Sequence, residues 1–359
     1  MKLNKVITVI IIAFILIGGY IHFQPGYETK RLVDQMNKSL LSEANVFDRQ
    51  IKRKEIQKNK KFTDNEIIKI PGLTRISDES IFISDFTDFS IYHYSYDGNL
   101  IRKIETGRGS GPGEIRQLMD FDISNDIIWL VDSELFRVSS FNLNTGEYIN
   151  SFSVEKRPVR LTTLKNSLII QWYGSEKLFS SFDFEGNEIK YFGELTENQL
   201  ENPLSFDGQL TSNRNDIFVY VPAYASFIFV YNENGELLHM IDTPDDLSFP
   251  KAFRDGNISR PPNIKHSYTM VDSFISGSTL SVYTARSNLE DSPEYIAKKP
   301  FALIDIYDLE KGMYVRSIEL PVVQEKGMPF LYQTGKYDLK RQYFFTTTAY
   351  EGNTLKIEF

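Results

Sequence analysis

An all-β fold, a six-bladed β-propeller of four-stranded antiparallel blades, is predicted for this chain of 359 residues. Aromatic residues make up 14% of the chain, with 27 Phe and 20 Tyr, and aromatic residues favour strands. From residue 62 onward, short strand-like runs alternate with turns, and no long amphipathic helical pattern interrupts them. Equivalent turns recur at intervals of roughly 40 to 50 residues, the length of a propeller blade.

The clearest repeating unit contains strand-like runs at Ile81–Ser84, Ile91–Ser95 and Leu100–Glu105, with a turn at Asp97–Gly98. An Asp-Gly pair between alternating strands predicts a type I′ hairpin, in which both central residues need a positive φ. The unit returns four times, and its hairpin glycines are Gly98, Gly146, Gly186, Gly235 and Gly312. The intervals between them are 48, 40, 49 and 77 residues, the last one lengthened by the insertion "EDSPEYIAKKP".

The last unit, "RQYFFTTTAYEGNTLKIEF", supplies two strands but not the outermost strand of a blade. The strand-like run Glu66–Ile70, "EIIKI", has no partner of its own. We therefore expect Glu66–Ile70 to complete the C-terminal sheet, because closing the ring removes an exposed strand edge. Seven blades are the alternative, if residues 243–300 contain another one.

The N-terminal residues predict a membrane segment. Lys2 and Lys5 precede a run from Val6 to Phe23 that has no charged residue. Eighteen helical residues span about 27 Å, close to the ~30 Å hydrocarbon core of a bilayer. Because the lysines lie ahead of the run, residues 1–27 are interpreted as a signal anchor in the inner membrane of a bacterial envelope, with the body outside the cytoplasm. The alternative is a cleaved signal peptide and a secreted or periplasmic body.

Residues 28–61 form a zone of different composition, with ten Lys or Arg, five Asp or Glu, and no Gly or Pro. The near-helical spacing of their few apolar residues predicts a charged helical linker. Residues 62–359, the predicted propeller closed by N- and C-terminal strands, therefore have a net charge of −15, whereas the whole chain has −8. Nucleic acid is excluded as a partner, because such binding depends on Lys and Arg that neutralise phosphates.

Four glycines alternate with other residues in "GRGSGPG", residues 107–113. A dinucleotide fingerprint would place its third glycine at Pro112 or Glu114, and the Gly-Lys-Ser/Thr of a P-loop is missing. The strand-like "EIRQLMDFDIS" follows where a nucleotide site would have a helix. The glycines are interpreted as the crossing from the outer strand of one blade to the inner strand of the next. Arg108 and Glu114 are candidate binding residues on a face of the ring.

The segment "TGRGSGPGE", followed by "FDISNDIIWLVDSELFRVSSFNLNTGEYINSF", resembles the inter-blade signature of NHL-type propellers. It is more similar still to the bacterial TolB-like six-bladed propellers, most clearly over residues 64–155. The resemblance implies a propeller outside the cytoplasm, secreted or membrane-attached, and provides no catalytic residues to transfer. The chain has no cysteine, which excludes a lipid-modified N-terminal cysteine.

No catalytic arrangement is evident in the sequence. Thiol catalysis is excluded, a G-x-S-x-G motif is missing, and the four histidines lack metal-ligand spacing. We expect a binding or scaffolding module for an envelope protein or a small ligand, with specificity in the insertions 195–210 and 243–266 and the stretch 287–300. No cofactor is predicted. The alternative is a Ca²⁺-dependent hydrolase or lactonase whose oxygen ligands are Asp120, Asp122, Asp207 and Asp272, near the predicted inner strands.

Overall fold

The computed structural model describes the parts of the chain that build the propeller. These are residues 27–28, 51–53, 58–61, 67–77, 80–195, 203–223, 225, 227–244, 253–255, 258–260, 267–287, 301–320, 324–325, 328–329, 332–338, 340, 343–348 and 354–358. Residues 1–26, which contain the predicted membrane segment, lie outside this set. Within the set, no helix is long and apolar enough to cross a membrane.

Six antiparallel sheets form the blades, numbered along the chain, with strands given from the axis outward. Blade 1 is Pro71–Ile76, Ser80–Asp85, Ile91–Ser95 and Leu100–Ile104. Blade 2 is Leu118–Ser124, Ile127–Asp132, Arg137–Asn142 and Tyr148–Ser153. Blade 3 is Pro158–Thr163, Leu168–Trp172, Phe179–Phe182 and Glu188–Phe192. Blade 4 is Gly208–Ser212, Ile217–Pro222, Phe227–Asn232 and Leu237–Asp242.

Blades 5 and 6 include strands from early in the chain. Blade 5 is Ser267–Ser276, Thr279–Ser287, Phe301–Asp308 and Met313–Leu320, with Ile51–Arg53 added in parallel at its outer edge. Blade 6 is Tyr332–Asp338, Tyr343–Thr348, Thr354–Glu358 and Lys58–Lys61. The shorter elements are Tyr27–Glu28, Phe253–Asp255, Ile258–Arg260, Gly107–Arg108, Glu114–Ile115, Gln324–Glu325, Met328–Pro329 and the 3-10 turn Pro203–Phe206. The predicted all-β propeller is confirmed.

The inner strands form a closed ring. Each contacts the inner strand of the next blade, and that of blade 6 contacts that of blade 1. Apolar side chains are buried between neighbouring blades, as where Phe179 of blade 3 and Phe218 of blade 4 meet edge-to-face at 5.9 Å. Similar clusters fill the spaces between blades 1 and 2, 2 and 3, 4 and 5, and 6 and 1. The core is therefore a set of wedges around the axis.

At the seam, where the two ends of the propeller share one sheet, the strand that closes the ring is not the expected Glu66–Ile70. Lys58–Lys61 pairs antiparallel with Thr354–Glu358, whereas residues 67–70 form a turn and a bend. Asp85 explains the difference, because its carboxylate accepts hydrogen bonds from the backbone N–H groups of Lys69 (2.8 Å) and Ile70 (3.3 Å). These bonds turn the segment into the first inner strand, so the outer strand has to come from further upstream.

The segment 28–61 was expected to be a charged helical linker. Its described residues instead include the strands Ile51–Arg53 and Lys58–Lys61 at the outer edges of blades 5 and 6. A lysine-rich "KNKK" suits an outermost strand, because charge there discourages pairing with other chains. The stretch 243–300, considered as a possible seventh blade, holds the first two strands of blade 5 and the short strands Phe253–Asp255 and Ile258–Arg260.

The five hairpin glycines were correctly identified, but the turn type was not. Their φ values are 87° at Gly98, 79° at Gly146, 93° at Gly186, 68° at Gly235 and 62° at Gly312. The preceding residues have negative φ, and each strand pair carries a register shift next to the turn. This geometry is a turn closed by a glycine bulge instead of the predicted type I′ turn.

Replacing a hairpin glycine by alanine is expected to destabilise the ring through both its backbone and its neighbours. A Cβ at Gly186 would lie 2.5 Å from Cγ of Phe152 in blade 2. Gly277→Ala is the matched control, since Gly277 has a φ of 62° but no atom within 4 Å of its Cβ position. The control should cost about 1–2 kcal/mol, and Gly186→Ala about 1–3 kcal/mol more, measured by urea unfolding. Equal losses would contradict the close packing of this hairpin.

The seam can be tested with a disulfide, because the chain has no cysteine of its own. Asn59 and Ile357 are direct partners in the seam ladder. The pair Asn59→Cys and Ile357→Cys is expected to oxidise readily and raise Tm, since it closes a loop that spans most of the chain. Asn59→Cys with Leu355→Cys, two positions away in the ladder, is the control. Faster crosslinking of the control would show a different register.

Candidate functional site

Charged side chains converge on the axis, and each positive one pairs with an aspartate of another blade. The pairs are Arg75 with Asp120, Arg160 with Asp207 (3.0 Å), Arg214 with Asp122 (3.3 Å) and Lys336 with Asp272 (2.6 Å). They join blades 1 and 2, 3 and 4, 4 and 2, and 6 and 5 respectively. The inner strands are therefore connected by charge as well as by apolar packing.

The four aspartates of the proposed Ca²⁺ ring do lie near the axis, as the sequence suggested. Their oxygens, however, face arginine or lysine, and Asp120 also accepts the N–H of Leu161 at 3.0 Å. In the described part of the chain, no three His, Cys, Asp or Glu side chains are grouped to hold a metal ion. The four cationic partners could not be predicted from the sequence, because nothing in a linear pattern shows which charges meet across the axis.

Burial and pairing shift the pKa values of these groups. Burial alone would raise the pKa of Asp122, but Arg214, Arg75 and the backbone N–H of Thr163 outweigh it, and the pKa is lowered. Burial lowers the pKa of Lys336, and the attraction of Asp272 does not fully compensate. The charged groups at the centre of the ring are thus buried from water, and each depends on its oppositely charged partner to stay ionised.

A cavity of about 550 Å³ lies at the axis on one face of the ring. This face carries the turns between first and second strands and is called the lower face; the opposite face is the upper face. Side chains from all six blades line the cavity, among them Ser77, Asp122, Thr162, Arg214, Ser278 and Asp338 from blades 1 to 6 in order. The cavity therefore exists only in the closed ring.

The floor and the rim of the cavity differ in exposure. On the floor, the side chains of Arg75 and Lys336 are 8% and 4% exposed, whereas that of Arg214 is 30% exposed. On the rim, Asp216 and Ser278 are exposed to solvent. The lining is dominated by polar groups that are held in place, an arrangement suited to a polar ligand.

The alternating glycines surround a single carboxylate on the upper face. Gly107–Arg108 pairs in parallel with Glu114–Ile115, and Oε2 of Glu114 accepts the N–H of Gly111 at 2.7 Å. A Cβ at Gly107 or Gly111 would lie 3.0 or 3.1 Å from the Glu114 side chain. The loop connects blade 1 to the inner strand of blade 2, as predicted, and glycine is needed for this close approach.

The two candidate residues from the sequence lie in this loop and do not line the cavity. Glu114 binds its own loop, and the exposed Arg108 lies over the ring of Phe89 at 4.6 Å and donates to the carbonyl of Phe86 at 3.4 Å. The insertions expected to carry specificity lie largely outside the described residues, at 196–202, 245–252, 256–257, 261–266 and 288–300.

The ion pair of Asp122 makes a prediction about pH. Because its folded pKa is lowered, Asp122 contributes stability above the unfolded value of about 3.8 that is lost as pH falls through the folded pKa. Asp122→Asn should therefore be less stable than the native protein at pH 7, and the difference should shrink at pH 3, measured by urea unfolding. Asp216→Asn on the exposed rim is the control and should cost little at pH 7. A difference for Asp122→Asn that grows in acid would refute this sign.

Comparison with known proteins agrees with the observed topology. Residues 61–234 match the model of the family DUF5128, described as a 6-bladed beta-propeller. A putative exported protein from Bacteroides fragilis NCTC 9343 is 14% identical, with a TM-score of 0.54 over 86% of this chain and 98% of that one. A member of the DUF4221 family from Bacteroides vulgatus ATCC 8482 is 10% identical, with a TM-score of 0.57 over 84% and 96%.

Identities this low establish the fold alone. Comparison with curated proteins finds no significant match. The family match, the two solved structures and the ring of antiparallel blades together show that the chain is a β-propeller protein.

Proposed function

We propose that this propeller is a membrane-tethered, extracytoplasmic binding module that receives a small ligand or one segment of an envelope protein in the lower cavity. The observation that carries this proposal is the contribution of all six blades to one polar cavity on the axis. A volume of about 550 Å³ is in the range of small-ligand sites and favours a compact ligand over a broad protein surface.

The proposed location is supported by the sequence and by one structural neighbour. An uncharged run from Val6 to Phe23 follows Lys2 and Lys5, the charge distribution of an anchor with the body exported. The Bacteroides fragilis protein of the same fold is described as a putative exported protein. The similarity of residues 64–155 to TolB-like propellers favours the same side of the membrane.

The lining favours binding by fixed hydrogen-bond groups. The hydroxyl of Thr162 donates to Asp122 at 3.1 Å, and Lys336 donates to the carbonyl of Ser273 at 2.7 Å. Groups held in this way are preorganised, so a ligand loses less free energy in ordering them. Such a site selects a ligand by shape and hydrogen bonding.

A bulky residue on the rim should block the cavity. Ser278→Trp places an indole at an exposed position of the lining, and the full-length protein in detergent is then applied to saccharide and peptide arrays. Ligands retained by the native protein should be lost by Ser278→Trp. The matched control is Ser110→Trp, the same exchange at an exposed position of the upper face, which should retain them. Loss of binding in Ser110→Trp alone would place the site on the upper face.

A further inference from the structure

We infer that Arg214 anchors an anionic oxygen group, a carboxylate or a phosphate, of the ligand that enters the lower cavity. This inference rests on the proposed function, since it names the chemistry that the cavity recognises. Arg214 lies in the turn between the first two strands of blade 4, and its side chain crosses the axis. Its Nη2 donates to the carbonyl of Ile76 in blade 1 at 2.9 Å and to Asp122 in blade 2 at 3.3 Å.

The backbone of Arg214 is strained and firmly held. Its φ of 56° is in the left-handed region, which costs a residue with a side chain on the order of 1 kcal/mol. The N–H of Arg214 donates to Ser212 Oγ at 3.1 Å, and Asn213 Oδ1 accepts the N–H groups of residues 215, 216 and 217 at 2.9, 3.0 and 3.0 Å. The turn thus fixes the direction of the Arg214 side chain. Glycine or asparagine would adopt this φ at a lower cost in stability.

The guanidinium keeps hydrogen-bond donors for a ligand. Nη2 makes both of the bonds given above, and among the described residues neither Nε nor Nη1 has an acceptor. The side chain is 30% exposed and belongs to the lining of the cavity. Nε–H and Nη1–H lie on different sides of the guanidinium, and each can donate a charge-assisted hydrogen bond to one oxygen of a carboxylate or phosphate.

The other cations of the axis are less accessible to a ligand. The side chains of Arg75 and Lys336 are nearly buried, at 8% and 4% exposure, beside Asp120 and Asp272. Arg214 is therefore the floor cation that an entering ligand meets. Of the lining hydroxyls, Ser77 and Ser212 already donate to the carbonyls of Ser80 and Thr163, and Ser276 provides a further donor for an anionic oxygen.

The surrounding charge limits the ligand to few negative groups. Asp216, Glu310 and Asp338 belong to the same lining, and residues 62–359 carry a net charge of −15. A polyanion would be repelled by these carboxylates, whereas a single anionic group on a neutral or cationic molecule would not. The ligand class is thus a monoanionic or zwitterionic small molecule.

The test follows the Arg214 side chain directly. Full-length protein in detergent micelles is titrated with sodium acetate or inorganic phosphate against sodium chloride at equal ionic strength, and the Nε–H signals of the arginines are recorded by NMR. The Arg214 signal, identified by its loss in Arg214→Lys, is expected to shift saturably with acetate, phosphate or both. The response to each salt tells a carboxylate site from a phosphate site. If Arg214 responds to neither salt more than the exposed Arg108 does, the inference is wrong.

A second variant separates anion binding by Arg214 from a purely structural role in connecting the blades. Arg214→Gly relieves the strained φ but leaves the buried Asp122 without its main partner, so its Tm should fall, and stabilisation by phosphate or acetate relative to chloride should disappear. Arg108→Gly should keep that stabilisation. An anion effect that stays intact in Arg214→Gly would show that Arg214 only connects blades. If array ligands are lost in Ser278→Trp but Arg214 ignores both anions, the cavity binds and only this inference fails; if Ser278→Trp binds normally, the proposed function fails.

Discussion

Ring closure by strand pairing is the constraint on which the other features of this molecule depend. Lys58–Lys61 adds the outermost strand to the blade that ends at Glu358, so residues from the two ends of the propeller share one sheet. Joining positions so distant in sequence is costly in chain entropy, although that cost grows only slowly with loop length. In return, the inner strands of blades 6 and 1 come into contact, and the axis is enclosed from every side. Neither the cavity nor the set of axial ion pairs would exist in an open arc of the same blades.

The ion pairs and the apolar wedges have different roles within that ring. Burying aromatic and aliphatic side chains between blades provides most of the favourable free energy, at roughly 25 cal/mol for each Å² removed from water. A buried ion pair such as Arg75–Asp120 adds little net stability, because desolvation offsets the attraction, but removing one partner leaves an unpaired buried charge. We infer that these pairs select the correct neighbour for each blade: Arg75 requires Asp120, and Lys336 requires Asp272. Such selection matters in a repeat protein, where the blades resemble one another and wrong pairings bury similar apolar surface.

Local signals were readable in the sequence, and long-range ones were not. Glycine at 98, 146, 186, 235 and 312 identified the hairpins, because a positive φ is a property of one residue and its turn. The strand that closes the ring was predicted at the wrong place because "EIIKI" has a strand-like composition and "KNKK" does not. Only the structure shows that Lys69 and Ile70 donate hydrogen bonds to Asp85, which keep "EIIKI" out of the last blade. The aspartates of the axis were found, but their partners were not, since Asp122 and Arg214 are 92 residues apart. Arg214 itself carried no signal, as its strained φ depends on the turn held by Asn213.

The two faces of the ring differ in how many of their polar side chains are already hydrogen-bonded within the protein. On the upper face of blades 1 and 2, Asp132 accepts four backbone N–H groups, from residues 116, 117, 134 and 135. Glu114 is held by its own loop, and Arg137 donates to the carbonyls of Ser110 and Glu114. These groups tie one blade to the next and have little left for a ligand. On the lower face, short turns connect the first and second strands, and the side chain of Arg214 in the turn of blade 4 extends across the axis. Because that turn brings in a cation with unused donors, the physical basis for recognition lies on the lower face, away from the glycine-rich loop that stands out in the sequence.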